Sequence, residues 1–248
     1  MFKLTENYIQ IKKEVLKTLE TEDISSILKS LSVYPPTKII SFLIGAFLHP
    51  DEVVRWKAVI AFGYFTAEIA KNEMERARIV IRRLMWMLNE ESGGMAWGVP
   101  EGFAEALYNC EVLKDEYLPI FVSYIWNAEE TGKYKADNFL EFPPAQRGVI
   151  WGIGRLAEKY KKELWENKAP FYIKQILEET KDSGVMFLSL WSLNKLKPFP
   201  KDSSLNNNLI EKVFSFLLKK NYSFLLFDGK RIYSKSIKEL QKEFFSTS

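Results

Sequence analysis

The sequence has little of the residues on which most metal and redox chemistry depends, with one cysteine, Cys110, and one histidine, His49, among 248 residues. A single cysteine excludes an internal disulfide framework and a cysteine-rich metal site, and a single histidine excludes a histidine cluster. We therefore predict no metal and no cofactor. We interpret Cys110 as a small buried hydrophobic residue rather than a reactive thiol, because no second histidine is present to activate it.

Long apolar runs and a strong excess of one charge are also missing. The longest nearly uncharged run, Ile39 to Pro50, has 12 residues, whereas a membrane helix needs roughly 20. The N-terminus carries a charge every few residues and has no apolar signal core. A net charge of +3 is too small to indicate a nucleic-acid partner by itself. These absences predict a soluble cytoplasmic protein that does not bind a membrane.

Residues 49–63 carry a clear local pattern. Pro50 has a fixed φ that suits the opening of a helix, and Asp51 is suited to cap its free N–H groups. Apolar residues then recur at steps of three and four, and form one stripe: Val54, Ala58, Ala61, Phe62 and Phe65. Gly63 costs about 1 kcal/mol relative to alanine in mid-helix, so we expect a second helix to pack closely there. The stretch resembles the central part of a HEAT-type helical repeat.

The same small-residue pattern returns further along the chain. Ala61-Phe-Gly63 is followed by Gly102-Phe-Ala104, Gly152-Ile-Gly154 and Ser189-Leu-Trp191, at successive offsets of 41, 50 and 37 residues. HEAT repeats are about 40 to 47 residues long, and the long offset includes a long loop. The spacing therefore predicts four or five stacked pairs of antiparallel helices, which is an all-α, armadillo-like α-α superhelix (solenoid) of HEAT type.

Amphipathic periodicity predicts twelve helices. They are 6–20, 23–31, 37–48, 51–70, 73–89, 97–109, 117–127, 146–160, 169–181, 183–195, 209–219 and 236–245. We expect Thr37 and Asn72 to cap two of these helices. The polar segment 128–143 is too long for an ordinary link between repeats, so we expect it to be either mobile or folded over one face.

The last 50 residues differ in character from the rest of the chain. A segment rich in Pro, Ser and Asn, 197–208, indicates a linker, and Asp228-Gly229 between two β-prone segments predicts a hairpin. We therefore divide the chain into a HEAT-like domain, 1–200, and a C-terminal cap of helix, hairpin and final helix, 201–248. Terminal repeats need covering, which favours a capping hairpin over one that pairs with a partner's strand.

Segment 89–105 contains the first candidate site. Its Gly93-Gly94 pair interrupts the helical pattern and exposes backbone N–H groups that suit an anion, although Glu90 and Glu91 oppose phosphate. Trp97 and Glu101 follow four residues apart, on one helix face. Both are candidate binding residues. The alternative is that the tryptophan packs between repeats and the glutamates cap the helix.

Two stripes of basic and aromatic residues form the second candidate surface. They are Arg78, Arg82 and Trp86, with Arg83 beside them, and Arg147, Trp151 and Arg155. In HEAT-like stacks the second helix of each pair usually lines the concave surface, which would place the first stripe inside a groove. The alternatives are a solvated face with ion pairs one turn apart, or a ladder of arginines to carboxylates of the next repeat.

Two longer motifs look like those of an uncharacterised prokaryotic family of HEAT-like repeat proteins. They are Asn89-Glu-Glu-Ser-Gly-Gly-x-x-Trp97-Gly-x-Pro-Glu101 and Arg147-Gly-Val-x-Trp-Gly-x-Gly-Arg-Leu-Ala157. The resemblance covers residues 37–200, and it implies a helical repeat fold with no established activity. The broader HEAT class, to which phycobilin lyases and many scaffolds are similar, implies mainly protein binding.

The sequence contains no recognisable nucleophile with its base, no metal cluster and no Walker-type loop, which favours a noncatalytic protein. The first functional hypothesis is accordingly a scaffold that binds a partner protein or peptide in its concave groove, near Trp97, Trp151 and Arg82. Large aromatic residues and arginine are enriched at the centres of protein interfaces.

Two other functions stay open. The chain is similar in size and repeat type to HEAT-like alkylpurine DNA glycosylases, although their local motif is not reproduced. That resemblance implies nucleic-acid binding or base excision by Trp97, Glu101 and Trp151, with the arginines of the two stripes on phosphates. The third hypothesis is a small ligand held under segment 128–143, by Trp97, Trp126, Phe139 and Trp151.

Overall fold

The computed structural model describes residues 2–89, 98–127, 138–199 and 207–246. These residues are mostly helical, with one small antiparallel sheet, as the sequence predicts. The helices are α1 (Phe2–Thr21), α2 (Ile24–Leu31), α3 (Pro36–Ala46), α4 (Glu52–Asn72), α5 (Met74–Leu88), α6 (Val99–Asn109), α7 (Glu111–Ser123), α8 (Pro143–Glu166), α9 (Ala169–Glu179), α10 (Ser183–Leu196), α11 (Asn207–Lys219) and α12 (Ile237–Ser246). The strands are β1 (Ser223–Phe227) and β2 (Ile232–Ser236).

These elements form two compact units, Met1–Lys114 and Asp115–Ser248. The boundary lies within α7 and differs from the predicted division into 1–200 and 201–248. The C-terminal helices α11 and α12 both pack against α10, which places the C-terminal segment in the same unit as α8, α9 and α10.

Helix α4 is the centre of the first unit, where it packs against α3, α5 and α6. Its start confirms the predicted cap, because Asp51 Oδ1 accepts hydrogen bonds from Val53 N at 2.7 Å and Val54 N at 3.3 Å. Gly63 faces α6 so closely that an added Cβ would lie 2.4 Å from Glu105 Cβ. The close helix packing expected at Gly63 is therefore confirmed.

Helix α8 has the corresponding place in the second unit, where it packs mainly against α10. An added Cβ at Gly154 would lie 2.4 Å from the Trp191 ring and 2.5 Å from Ser192 Oγ. Ser192 Oγ donates a buried hydrogen bond of 2.6 Å to Ile150 O, which joins the two helices. The helix kinks at Tyr160, where φ is −125° and ψ is 38°.

Each unit contains the same local arrangement of helices. In the first, α4 packs against α6, and α5 contacts both. In the second, α8 packs against α10, and α9 contacts both. The small residues that recur in the sequence thus lie where a helix meets the next but one along the chain.

Two predicted helix caps are wrong. Thr37 lies inside α3, which begins at Pro36, and the N-cap residue is Pro35, whose side chain has no acceptor to cap the helix. Asn72 is the last residue of α4, and its Nδ2 donates to Glu68 O at 3.1 Å instead of its oxygen capping α5. Helix α7 also begins earlier than expected, at Glu111 rather than residue 117.

The C-terminal hairpin has the predicted turn. Asp228 Oδ1 accepts hydrogen bonds of 3.0 Å from Lys230 N and Arg231 N, and Gly229 has a φ of 95°. A positive φ favours glycine, which explains the Asp-Gly pair. The hairpin lies against its own unit, because Trp151 Nε1 on α8 donates to Phe227 O at 2.9 Å.

Candidate functional site

Helix α5 presents one face to solvent. Its apolar residues Ala77, Ile81, Leu84 and Leu88 are buried on the side that packs against α4 and α6. The opposite side carries Glu75, Ile79, Arg82 and Trp86, at steps of four, three and four residues, and we call these four residues the α5 stripe. Ile79 is 57% exposed and Trp86 is 78% exposed. Two large apolar side chains are therefore exposed to solvent on one helix face, two turns apart.

The charges of α5 are mainly positive. The helix contains four arginines, at 76, 78, 82 and 83, and one glutamate, Glu75. Glu75 accepts hydrogen bonds from Arg82 and, at 3.5 Å, from Arg78, and the Arg82 bond is the main reason that the pKa of Glu75 is lowered. Arg83 Nη1 reaches across to α3 and donates to Ser41 Oγ at 3.1 Å. Arg82 and Arg83 therefore flank the exposed apolar residues with positive charge.

The first predicted stripe agrees in part with its alternative, which was a solvated helix face whose residues form ion pairs with one another. Arg78 and Arg82 both bond to a carboxylate on their own helix. Such exposed pairs contribute about 0.2 to 1 kcal/mol and need no partner protein. They leave the exposure of Trp86 and Ile79 unexplained. Ile79 escaped the sequence prediction, although its spacing from Trp86 by seven residues placed the two on one face.

The second stripe holds parts of its own unit together. Arg147 forms a two-pronged ion pair with Asp182, at 2.8 Å from Nε to Oδ1 and 2.5 Å from Nη2 to Oδ2. Burial raises the pKa of Asp182, but the bonds from Arg147 and from the Val185 amide outweigh it and leave this pKa below its ordinary value. Because Asp182 is also the N-cap of α10, this pair joins the start of that helix to α8.

Trp151 and Arg155 are buried, at 1% and 5% exposure, so the expectation that they line an open groove is not met. The Trp151 indole bonds to the hairpin backbone. The Arg155 guanidinium pairs with Glu158 at 2.5 Å and lies 5.3 Å from the centre of the Phe227 ring. This face of α8 is covered by the hairpin, which the sequence pattern of a single helix could not reveal.

The carboxyl of Glu101 lies in an environment that strongly shifts its pKa. It lies in the first turn of α6, where its Oε2 is buried and has no hydrogen-bond partner among the described residues. Burial raises the pKa of Glu101 to about 7, while its own backbone N–H and the positive charge of Arg55 act in the opposite direction. A carboxyl with this pKa exchanges protons near neutral pH, which is the property of a general acid or base.

The other members of the first candidate site lie outside the described residues. These are Trp97 and the Gly93-Gly94 turn. The described part resumes at Gly98, whose φ is 71° and which packs against Phe47. Trp97 therefore stays a predicted binding residue of the groove. Trp151, which was predicted to lie near the same groove, is buried.

Residues 128–137 lie outside the described residues, so the ligand pocket predicted under segment 128–143 stays a prediction. Trp126 stacks on Tyr172 with ring centres 5.8 Å apart. Phe139 lines a cavity of about 370 Å³ beside the end of α9, together with Glu141, Pro143, Gln146, Ile176, Glu179, Thr180, Lys181 and Asp182. Its carboxylates and lysine lie beside apolar side chains, but nothing in this lining selects a particular ligand.

The described ranges contain neither a candidate metal site nor a candidate membrane-spanning helix. Among them, no group of three or more His, Cys, Asp or Glu side chains is placed to hold a metal ion. No helix in the same ranges is long and apolar enough to cross a membrane. Cys110 is half-buried, at the C-terminal cap of α6, which is less buried than predicted.

A protein from Archaeoglobus fulgidus, described as an uncharacterized protein, is 30% identical to this chain over 167 residues. The match covers 67% of this chain and 77% of the archaeal protein. No protein-family model matches the sequence, and no solved structure matches it. The extent and identity of the archaeal match show common descent, and the chain belongs to the same family as this Archaeoglobus fulgidus protein.

Proposed function

We propose that this protein is a noncatalytic, cytoplasmic scaffold of HEAT-like type that binds a partner protein through the α5 stripe and Arg83. The observation that carries the proposal is the exposure of Trp86, at 78%, with Ile79 exposed on the same helix face. Water contact with a large apolar side chain costs about 25 cal/mol per Å² relative to its burial, so a partner that covers this face gains binding energy.

The composition of the stripe supports a protein partner. Tryptophan and arginine are the residues most enriched at the energetic centres of protein interfaces, and Trp86 lies one turn from Arg82 and Arg83. The ion pair of Arg82 with Glu75 is exposed, so a partner's carboxylate has access to the same guanidinium. The buried side of α5 is held by α4 and α6, which presents the stripe on a rigid element.

The HEAT-like part of the proposal is supported by local packing and by sequence spacing. In both units a helix packs against the next but one, with the intervening helix beside both, as in stacked antiparallel helix pairs. The small residues Gly63 and Gly154 that mark this packing belong to the segments that recur along the sequence. In a solenoid of this type α5 would be the second helix of its pair, which is the position that lines the concave surface.

The two other functional hypotheses have less support. Base excision required Trp151 as a ring that contacts nucleic acid, whereas the indole is buried and bonded to the hairpin. Arg147 and Arg155 are engaged with Asp182 and Glu158, which reduces the positive charge available for phosphates. A small ligand under segment 128–143 required the same buried Trp151.

The test is recovery of partner proteins from a lysate of the source organism by the purified full-length protein, quantified by mass spectrometry. We expect Trp86→Ala to lower recovery of a specific partner by at least tenfold, since truncation of a central interface tryptophan typically costs 2 kcal/mol or more, about 30-fold in affinity. We expect Arg82→Ala to have a smaller effect in the same direction.

Val33→Ala provides the matched control, because Val33 is also strongly exposed, at 75%, and lies outside α5. Recovery should be unchanged in this variant. If Trp86→Ala and the control variant recover the same proteins in equal amounts, the α5 stripe is not the binding surface and the proposal fails.

A further inference from the structure

We infer that the partner segment which covers the α5 stripe is an acidic amphipathic helix that lies along α5. This inference rests on the proposed function, because it names the chemistry of the partner at the same surface. The spacing of the exposed side chains, the charges beside them and the paired backbone of α5 all favour such a partner.

The spacing of the stripe matches the contact line between two helices. Its members follow at steps of four, three and four residues, from Glu75 to Trp86, which is the alternation found at the contact positions of paired helices. Ile79 and Trp86 are seven residues apart, about 10 Å along the helix axis at 1.5 Å per residue. A second helix that lies beside α5 presents apolar side chains at this same interval.

The backbone of α5 disfavours an extended partner. Within a helix the N–H and C=O groups bond to one another, so α5 offers no free row of donors and acceptors to an incoming strand. An extended peptide buried against this face would therefore leave its own backbone groups unpaired, at about 1 to 3 kcal/mol for each buried group. A helical partner satisfies these groups internally and avoids that cost.

The charges of α5 favour an acidic partner. The helix carries four arginines, and they are opposed by Glu75 and by the N-cap Glu73, which pairs with Arg76. The remaining positive charge includes Arg82 and Arg83, which lie between Ile79 and Trp86 along the axis. A partner helix with carboxylates on either side of its apolar line brings them next to these two guanidinium groups. Complementary charge speeds association and selects against basic helices that have the same apolar residues.

The test is a selection experiment on the full-length protein. A displayed library of random 16-residue peptides is selected for binding to the wild-type chain and counter-selected against Trp86→Ala. The peptides that survive should be rich in Asp and Glu, carry apolar residues at intervals of three, four and seven, and lack proline in their central positions. A synthetic copy should show helical circular dichroism when bound.

Charge reversal sharpens the experiment. We expect the double variant Arg82→Glu and Arg83→Glu to bind a selected peptide at least tenfold more weakly, and to bind a copy with Lys in place of Glu more tightly than the wild type does. A copy with proline at its centre should lose at least tenfold in affinity to the wild-type chain. A 20-base-pair DNA duplex should not displace the peptide.

Several outcomes would overturn the inference. They are survivors that are basic or proline-rich, a central proline without effect, DNA that displaces the peptide in a Trp86-dependent manner, and a library from which nothing survives counter-selection. The proposed function fails by a separate result, which is recovery of the lysate partners by Trp86→Ala. If Trp86→Ala loses those partners but no acidic peptide binds the wild-type chain, the α5 stripe is still the binding surface. Only the inference of an acidic helical partner is then rejected.

Discussion

At the scale of single residues, Glu101 combines a buried carboxyl oxygen with a pKa raised to about 7. The ordinary value for this carboxyl is 4.5, so the folded state holds a proton over a pH range in which the unfolded chain has released it. Stability must therefore fall as pH rises through this range, because the folded state binds more protons than the unfolded state. Above the folded pKa the whole cost of burying the charge is present.

The variant Glu101→Gln removes this charge while keeping the shape of the side chain. We expect its free energy of unfolding to exceed that of the wild type by on the order of 1 to 3 kcal/mol at pH 8. The difference should shrink to a small fraction of this value near pH 4.5, where the wild-type carboxyl is protonated in the folded state and about half protonated in the unfolded chain. Urea unfolding at pH 4.5, 6 and 8 measures it, with the exposed Glu211→Gln as control. A difference independent of pH would contradict the assignment of the burial cost to this carboxyl.

At the scale of elements, Gly63 decides how closely α4 and α6 approach. Alanine normally stabilises a helix interior by about 1 kcal/mol relative to glycine. Here an added Cβ would lie 2.4 Å from Glu105 Cβ and 2.7 Å from the Glu105 backbone carbon, and a backbone atom cannot turn aside. Overpacking of this kind costs about 1 to 3 kcal/mol, which exceeds the gain in helix propensity.

We therefore expect Gly63→Ala to lower the free energy of unfolding by up to about 2 kcal/mol, which is the overpacking cost less the gain in helix propensity. The matched control is Gly45→Ala on α3, because an added Cβ at Gly45 has no neighbour within 4 Å. That variant should be neutral or more stable than the wild type. Chemical unfolding followed by circular dichroism measures both. Stabilisation by both substitutions would show that α4 and α6 separate at little cost.

Which helices form could be predicted from the sequence because each depends on residues close to one another in the chain. The Asp51 cap and the Asp228-Gly229 turn are signals of this kind, and both are confirmed. The apolar stripe predicted on α4 is buried as expected, but the helix is not one-sided, because Val59 and Ile60 on its other faces are buried too. The burial of Trp151 could not be predicted, because its cover comes from Phe227, 76 residues further on. A face with arginine and tryptophan one turn apart has the same sequence pattern whether solvent or a hairpin covers it.

At the scale of the whole molecule, the recurring small residues do not indicate where one compact unit ends. The boundary after Lys114 falls inside α7, although the periodic pattern continues on both sides of it. Whether the C-terminal segment packs against α10 depends on contacts between elements far apart in the chain. The α5 stripe and Glu101 lie in the first unit, whereas the hairpin and the face of α8 that it covers lie in the second.

This division predicts how damage to one core spreads through the chain. The contacts of Gly63 lie within the first unit and those of Gly154 within the second, so each substitution to alanine strains one core. Local opening depends on the stability of the unit concerned. By hydrogen exchange with mass spectrometry, Gly63→Ala should speed exchange most in α4 and α6, and Gly154→Ala most in α8 and α10. Equal acceleration throughout the chain in both variants would show that the two cores open as one, and a change at Gly154 would then weaken the α5 surface as well.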